Sequence, residues 1–346
     1  MNVHDIFMDR CLQLAQNGLG STYPNPLVGS VIVGNDKIIG EGWHQKAGEP
    51  HAEVHAINTV KDKSLLKDAT IYVNLEPCSH FGRTPPCADL IIKHQIKKVI
   101  IGTKDPFSKV AGNGIKKLKN AGCQVIVNVR EEQCLELNKR FFTFFNKLRP
   151  YIILKWAETV DGYIAPTKQK NKQSFWISNP YSRQLVHQWR SQEQAILAGT
   201  TTILKDDPEL TVRDWHGKHP FRVTIDRKSK IPGTYKIYNA KADTLVFSEK
   251  EILKKPTVTT KIINSNQPIV EQISKALFER QLQSVIVEGG TRTLQLFIQS
   301  NLWDEARVFK GTKTLNSGIK APTLKNGKII SKTKILNDTL TVYQND

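Results

Sequence analysis

Apolar runs of strand length alternate with helix-period stretches through most of this chain, and the alternation breaks at Leu148-Arg149-Pro150. Strands that alternate with helices imply a largely parallel sheet covered by helices, an α/β architecture. Before the break, residues 3–17 carry a helical apolar stripe. Residues 27–34 and 37–44 read as two strands turned at Asn35-Asp36, 50–60 as a helix and 69–75 as a strand. Residues 85–95 read as a helix with proline in its first turn, 97–102 as a strand, 113–122 as a short helix with a glycine stop, 124–129 as a strand and 131–146 as a helix. A fresh strand begins at 151–158. It is followed by helix 180–191, strands 195–199, 221–226 and 243–248, helix 268–281, strand 284–290 and helix 291–300. Residues 164–174 and 228–240 read as polar loops, and 302–346 as β-leaning. At ~150 residues per domain, 346 residues predict two domains, 1–147 and 150–346.

The cysteine count is five, an odd number, and the charged opening MNVHDIFMDR has no apolar core of a signal peptide. Both features predict a reducing, cytoplasmic setting without a disulfide framework. No window approaches the ~18 uninterrupted apolar residues of a membrane span, so no membrane partner is expected. Net charge is +18; residues 1–150 carry 20 Lys/Arg against 14 Asp/Glu, and residues 151–346 carry 30 against 18. Such an excess favours anionic partners, either nucleic acid or phosphorylated small molecules.

Cys11, Cys123 and Cys134 lie in apolar periodic contexts and read as core residues. Cys78 and Cys87 do not. His51-Ala52-Glu53 falls on the predicted helix 50–60, Pro77-Cys78 just after a strand, and Pro86-Cys87 at the start of the next helix. One histidine and two cysteines suit tetrahedral Zn²⁺ with a fourth position open to water, the catalytic arrangement. Zinc lowers the bound water's pKa towards ~7. Glu53, two residues from His51, cannot share its direction on a helix, so it is free to carry protons without ligating the metal. His51 and His55 stand at i and i+4, but a metalloprotease helix needs glutamate directly after the first histidine, where Ala52 stands. His55 therefore reads as a packed or hydrogen-bonded helix residue.

The order His-x-Glu, then Pro-Cys, then Cys is the zinc deaminase pattern, with eight residues between the cysteines instead of the usual two. YPNPLVG (23–29), HQKAGEPHAEVHAI (44–57) and NLEPCSHFGRTPPC (74–87) closely resemble the deaminase domain of the bifunctional riboflavin-biosynthesis deaminase/reductase. The resemblance implies a cytidine-deaminase-like three-layer α/β/α domain. It implies hydrolytic removal of the 2-amino group of a diaminopyrimidinone carrying a phosphoribosylamino group, with Glu53 as proton carrier. Asn25, His44 and His80 match family positions that line the pocket.

The second half lacks a G-x-G-x-x-G after a strand, which argues against a Rossmann site. It has VIVEGGTRTL (285–294), where Gly289 and Gly290 would let a phosphate approach backbone at a helix start. YIILKWAETVDGYIA (151–165), FWIS (175–178), ILAGTTTILKDDPELTVR (196–213) and VEGG (287–290) resemble the reductase half of the same family. Thr159 and Ser178 replace its usual Ser and Thr, and KGTKTLNSG (310–318) departs from its usual proline-containing loop. The resemblance implies a dihydrofolate-reductase-like α/β domain that uses NADPH to reduce the ribosyl chain to ribityl. It places cofactor contacts at Ala157, Trp176, Thr202, Asp206, Gly290, Thr291, Arg292, Thr293, Leu294, Gln295 and Leu296. Substrate contacts fall at Lys155, Ser174, Arg190, Leu210, Arg213 and Glu288. Arg190 and Arg213 suit a substrate phosphate, because a guanidinium fork pairs with it bidentately.

The expected protein is a cytoplasmic homo-oligomer, with Zn²⁺ and NADPH as cofactors and no nucleic-acid partner. Two other readings compete. A tRNA adenosine deaminase with a fused binding domain would suit the charge. A zinc-stabilised binding module would need a fourth protein ligand, for which His80 is the candidate.

Overall fold

Alternate residues of each central strand point to opposite faces, so the burial pattern alone shows how many layers surround a sheet. A computed structural model describes residues 2–81, 85–107, 111–167, 175–252 and 255–345. The chain forms two compact units, residues 1–147 and 148–346.

In the first unit the elements run α1 (Val3–Gln16), β1 (Gly29–Gly34), β2 (Lys37–Trp43), α2 (Ala52–Thr59), β3 (Thr70–Leu75), α3 (Cys87–Lys93), β4 (Lys98–Thr103), α4 (Asn113–Asn120), β5 (Gln124–Ile126), α5 (Glu131–Leu137) and α6 (Lys139–Lys147). The sheet order is β2-β1-β3-β4-β5. β1 is antiparallel to both β2 and β3, whereas β3, β4 and β5 are parallel. Ile32, Ile71, Val73, Val99 and Ile101 pack against α2, α3 and α4 on one face. Val31, Val33, Tyr72 and Ile100 pack against α1 and Cys134 of α5 on the other. That is a three-layer α/β/α unit. The helix expected over 131–146 is two helices, because Asn138 turns inward between them. Its amide is buried and bonds both the N–H and the C=O of Leu27 (2.8 and 2.9 Å). Asn74 on β3 bonds the Leu27 carbonyl and the Gly29 N–H from the other side (2.9 and 2.8 Å). Together they clamp the loop that carries Asn25. Gly29 is required there, since a Cβ would stand 2.1 Å from the Cys11 carbonyl oxygen.

The second unit runs β6 (Tyr151–Glu158), β7 (Tyr163–Ala165), α7 (Pro180–Gln192), β8 (Ala195–Gly199), α8 (Thr200–Asp206), β9 (Phe221–Ile225), β10 (Thr244–Ser248), β11 (Val258–Ile262), α9 (Ile269–Glu279), β12 (Ser284–Glu288), α10 (Thr291–Gln299), β13 (Glu305–Lys310), β14 (Ile319–Lys320), β15 (Gly327–Ile335) and β16 (Asp338–Asn345). The main sheet has the order β11-β10-β9-β8-β12-β6-β13-β16-β15. It is parallel as far as β13 and closes with an antiparallel hairpin. α9 and α10 cover one face through Val270, Ile273, Leu277, Leu294 and Phe297. The other face is covered by α7, through Val186 and Trp189, and by α8. The stretch 228–240, expected as a polar loop, covers part of this face with buried Ile231, Ile237 and Tyr238. The helix α8 was not expected because it opens on three threonines, which have weak helix propensity. Among the described residues no helix is long and apolar enough to cross a membrane.

Candidate functional site

β3 ends at Leu75, and the chain leaves its carboxyl end through Glu76 and Pro77 to Cys78. α2 and α3 both start beside that rim. His51 is the N-cap of α2 and Cys87 the first residue of α3. The His51 Nδ1 lies 3.3 Å from Cys87 Sγ and 3.6 Å from Cys78 Sγ. Zinc bonds of about 2.0 Å to nitrogen and 2.3 Å to sulfur, at a tetrahedral angle, would hold such atoms about 3.5 Å apart. The three donors therefore have zinc-site dimensions. The Cys87 N–H donates to Cys78 Sγ (3.3 Å), so the start of α3 favours thiolate there. The Cys78 thiol is pulled down to about 4, by the Cys87 thiol first, with His51 and that N–H adding to it.

Glu53 is buried beside these donors (3% exposed). Burial raises its pKa, against the pull of the His51 charge. His80 is exposed and stacks edge-on near Phe107 (6.4 Å between centroids). It is not part of the donor cluster, which among the described residues is His51, Cys78 and Cys87. His44 is buried, and its ring meets that of His51 edge-on at 5.5 Å. Its Nδ1 lies 3.1 Å from the Pro50 carbonyl, so Nδ1 carries the proton. Nε2 then accepts from Asn25 Nδ2 (3.0 Å), which leaves the Asn25 Oδ1 as an acceptor for another group. His55 is packed against Gly42 and is not a member of the His51, Cys78 and Cys87 cluster.

Two acids were not singled out by the sequence reading. Glu76 is buried and accepts N–H bonds from Asp105, Gly112 and Ile115 (3.3, 2.9 and 3.1 Å), which ties the loop after β4 to the rim. Its place between a strand end and Pro77-Cys78 was the available signal. Asp105 is pushed up to about 6 by burial, with the Glu76 and Cys78 charges adding to it.

The second unit has a cleft of about 510 Å³ where β6, β8 and β12 end. The connections after β8 and β12 lead to opposite sides of the sheet, to β9 and to β13, which makes this the usual ligand position in such sheets. Lys155, Ala157, Trp176, Arg190, Thr202, Asp206, Leu210, Arg213, Glu288 and Gly290 all line it. Trp176 is half exposed, with the Arg183 guanidinium 4.5 Å from its ring centroid. Glu288 anchors the floor. Arg190 forks onto it through Nε and Nη2 (3.1 and 2.9 Å), and Lys155 Nζ lies 3.7 Å away. Although burial opposes it, these two cations hold the Glu288 carboxyl down at about 2. Burial lowers the Lys155 pKa in turn. Arg190 is therefore committed to a buried pair, and Arg213 is the exposed guanidinium of the two.

Gly289 sits at φ +150°, and the Gly290 N–H donates to the Thr202 hydroxyl (2.9 Å). The side chains of Thr291 through Leu296 do not line the cleft. Thr293 and Leu294 are buried, Arg292 and Leu296 are exposed, the Thr291 hydroxyl bonds the Lys320 carbonyl, and the Gln295 side chain bonds the Thr323 N–H. A helix turns its residues through all directions, so a contiguous run cannot all face one ligand. Ser174 lies outside the described residues.

Residues 150–345 match the RibD C-terminal domain, and residues 1–103 match the zinc-binding region of cytidine and deoxycytidylate deaminases. The riboflavin biosynthesis protein RibD of Aquifex aeolicus is 42% identical over 320 residues, covering 90% of this chain and 88% of the relative. The chain belongs to the RibD family. Escherichia coli RibD is 37% identical, with 90% of this chain and 89% of the relative covered. The crystal structure of a diaminohydroxyphosphoribosylaminopyrimidine deaminase/5-amino-6-(5-phosphoribosylamino)uracil reductase from Thermotoga maritima superposes with a TM-score of 0.91 at 37% identity over 99% of both chains. Acinetobacter baumannii RibD superposes at 0.89 and 33% identity, again over 99% of both.

As in other RibD proteins, the first unit has a cytidine-deaminase-like fold and the second the dihydrofolate-reductase-like fold of the RibD reductase. The cofactors are zinc and NADPH. A reductase domain stands where the tRNA deaminase reading required an RNA-binding one. The zinc cluster predicts about one zinc per chain by elemental analysis. Cys87→Ala should lose it, because two donors rarely retain a catalytic zinc; full occupancy in that variant would contradict the assignment.

Proposed function

We propose that this chain performs two consecutive steps of riboflavin biosynthesis. The unit of residues 1–147 hydrolytically deaminates 2,5-diamino-6-(5-phosphoribosylamino)pyrimidin-4(3H)-one. The unit of residues 148–346 then reduces the ribosyl chain to ribityl. The observation that carries this reading is the His51, Cys78 and Cys87 triangle with Glu53 buried against it, in one chain with a cleft whose floor is Lys155, Glu288 and Arg190.

Zinc held by His51, Cys78 and Cys87 would supply a coordinated water with a pKa near ~7. Glu53 takes the proton from the attacking water and delivers it to the departing amino group. Burial raises its proton affinity, which suits a carboxyl that must hold and then release a proton. Asn25, fixed by His44, offers its carbonyl oxygen to an N–H of the ring. His80 lies at the exposed edge of this site and contacts the ribotide there.

NADPH bound in the second unit would supply the hydride. Lys155 stands at the floor of the cleft with its proton affinity lowered by burial, and it donates to the ribose oxygen freed when the sugar opens. Glu288 keeps Lys155 in place, and Arg190 keeps Glu288 ionised. Arg213 binds the substrate phosphate beside Leu210. Ala157, Trp176, Thr202 and Asp206 would hold the cofactor, and the backbone N–H groups that open α10 would suit its phosphates. The substrate is thus a free phosphoribosylated pyrimidine and not nucleic acid, in the cytoplasm. The exposed Ile329 and Ile330 on the sheet-edge strand β15 suit a homo-oligomer; a monomeric sedimentation mass would exclude that part.

Glu53→Gln should keep zinc and lower ammonia release roughly 10²- to 10⁴-fold, since the amide keeps the shape and cannot carry the proton. Reduction of separately supplied deaminated substrate should be unchanged. Near-normal ammonia release would remove Glu53 from the mechanism. Arg213→Ala should raise the reductase KM about 10- to 150-fold, the cost of roughly 1.5–3 kcal/mol for a charge-assisted contact, with zinc content and deamination intact. Arg213→Lys should recover only part, because an ammonium cannot reproduce the fork. Impaired deamination with normal reduction would instead put the phosphate site in the first unit.

A further inference from the structure

Arg213 lies on a stretch without helix or strand, residues 207–220, just after Leu210 in a left-handed conformation (φ +54°). A guanidinium on such a stretch can select a phosphate only if its own backbone is held in place. Three side chains hold it. Arg190 Nη1 donates to the Thr211 carbonyl (3.2 Å), His219 Nδ1 accepts the Val212 N–H (3.3 Å), and His187 Nδ1 accepts the N–H of Arg213 itself (3.1 Å). His187 and Arg190 are three residues apart on α7 and share a face, so one rigid helix grips the stretch at two points.

His187 is 5% exposed and does not line the cleft. Because Nδ1 accepts, its proton sits on Nε2, which lies 3.6 Å from Asp214 Oδ2. Burial first, and then the charges of Arg190 and Arg213, push its pKa down to about 4, against the opposing charges of Asp214 and Glu288. The ring is therefore neutral at pH 7 and Nδ1 stays available as an acceptor.

We propose that His187 is a positioning residue for the reductase, whose Nδ1 fixes the Arg213 backbone and thereby aims the guanidinium at the substrate phosphate. This rests on Arg213 being the phosphate ligand. Reductase kinetics on 5-amino-6-(5-phosphoribosylamino)uracil and on its dephosphorylated counterpart test both levels. His187→Leu keeps the bulk and removes the acceptor. It should raise KM for the phosphorylated substrate about 3- to 10-fold, the usual effect of one lost hydrogen bond. kcat should fall by less than KM rises, and KM for the dephosphorylated substrate should not change. His187→Asn places its Oδ1 where Nδ1 stood and should recover most of the loss. In an Arg213→Ala background His187→Leu should add nothing. Thermal unfolding and ammonia release report whether each variant folds. Equal KM increases on both substrates, or a full additional effect in the Arg213→Ala background, would reduce His187 to a packing residue and overturn the proposal. If Arg213→Ala raises KM and His187→Leu does not, the link between the two residues fails alone. If Arg213→Ala also leaves KM unchanged, the phosphate assignment and this inference fall together.

Discussion

In both units the candidate site gathers at a rim where strands end and helices begin. Such a junction is the place in an α/β unit where backbone N–H groups point outward without a helical partner. The first unit uses one for thiolate chemistry: the Cys87 N–H at the start of α3 meets the Cys78 sulfur, and His51 caps α2 on the same rim. The second uses one for its glycine turn, where Gly289 and Gly290 leave β12 and open α10. Parallel neighbours end side by side, so residues far apart in sequence share one edge. Everything else in each unit holds that edge still.

The means of holding it are buried polar groups with complete partners. Glu76 gathers two N–H groups of the loop after β4 and one from the first turn of α4, and Asn74 and Asn138 clamp Leu27 beneath Asn25. Glu288 draws Lys155 and Arg190 to one carboxylate. Breaking any of these would leave a buried donor, acceptor or charge unsatisfied, at about 1–3 kcal/mol and more for a charge. Side chains that never touch a ligand can therefore be as constrained as those that do.

Motif reading reached the His51, Cys78 and Cys87 cluster and the buried Glu53 beside it because short spacing already brings them to one place: a histidine at a helix start, cysteines beside prolines, and a glutamate two residues from the histidine. It reached the glycine turn for the same reason. Along Thr291 to Leu296 a linear motif cannot show which side chains the helix turns inward, and Thr293 and Leu294 go into the core. The split at Asn138 and the apolar cover from Ile231, Ile237 and Tyr238 were also not legible. Each depends on a partner more than fifteen residues away or on a buried amide that looks like any surface asparagine in one dimension.

The amino-acid sequence by itself determined the α/β class, the break near residue 148, the His51, Cys78 and Cys87 donor set and the family, because these follow from periodicity, from residue chemistry at short spacing and from intact motifs. Only the tertiary structure decided what each charged side chain is paired with. Arg190 and Arg213 look equivalent as arginines, yet one is locked to Glu288 and the other is left at the cleft on a segment pinned by His187. The pairing of a charge is set by burial and by which strands end next to one another, and the order β8-β12-β6 arises from folding and not from sequence proximity.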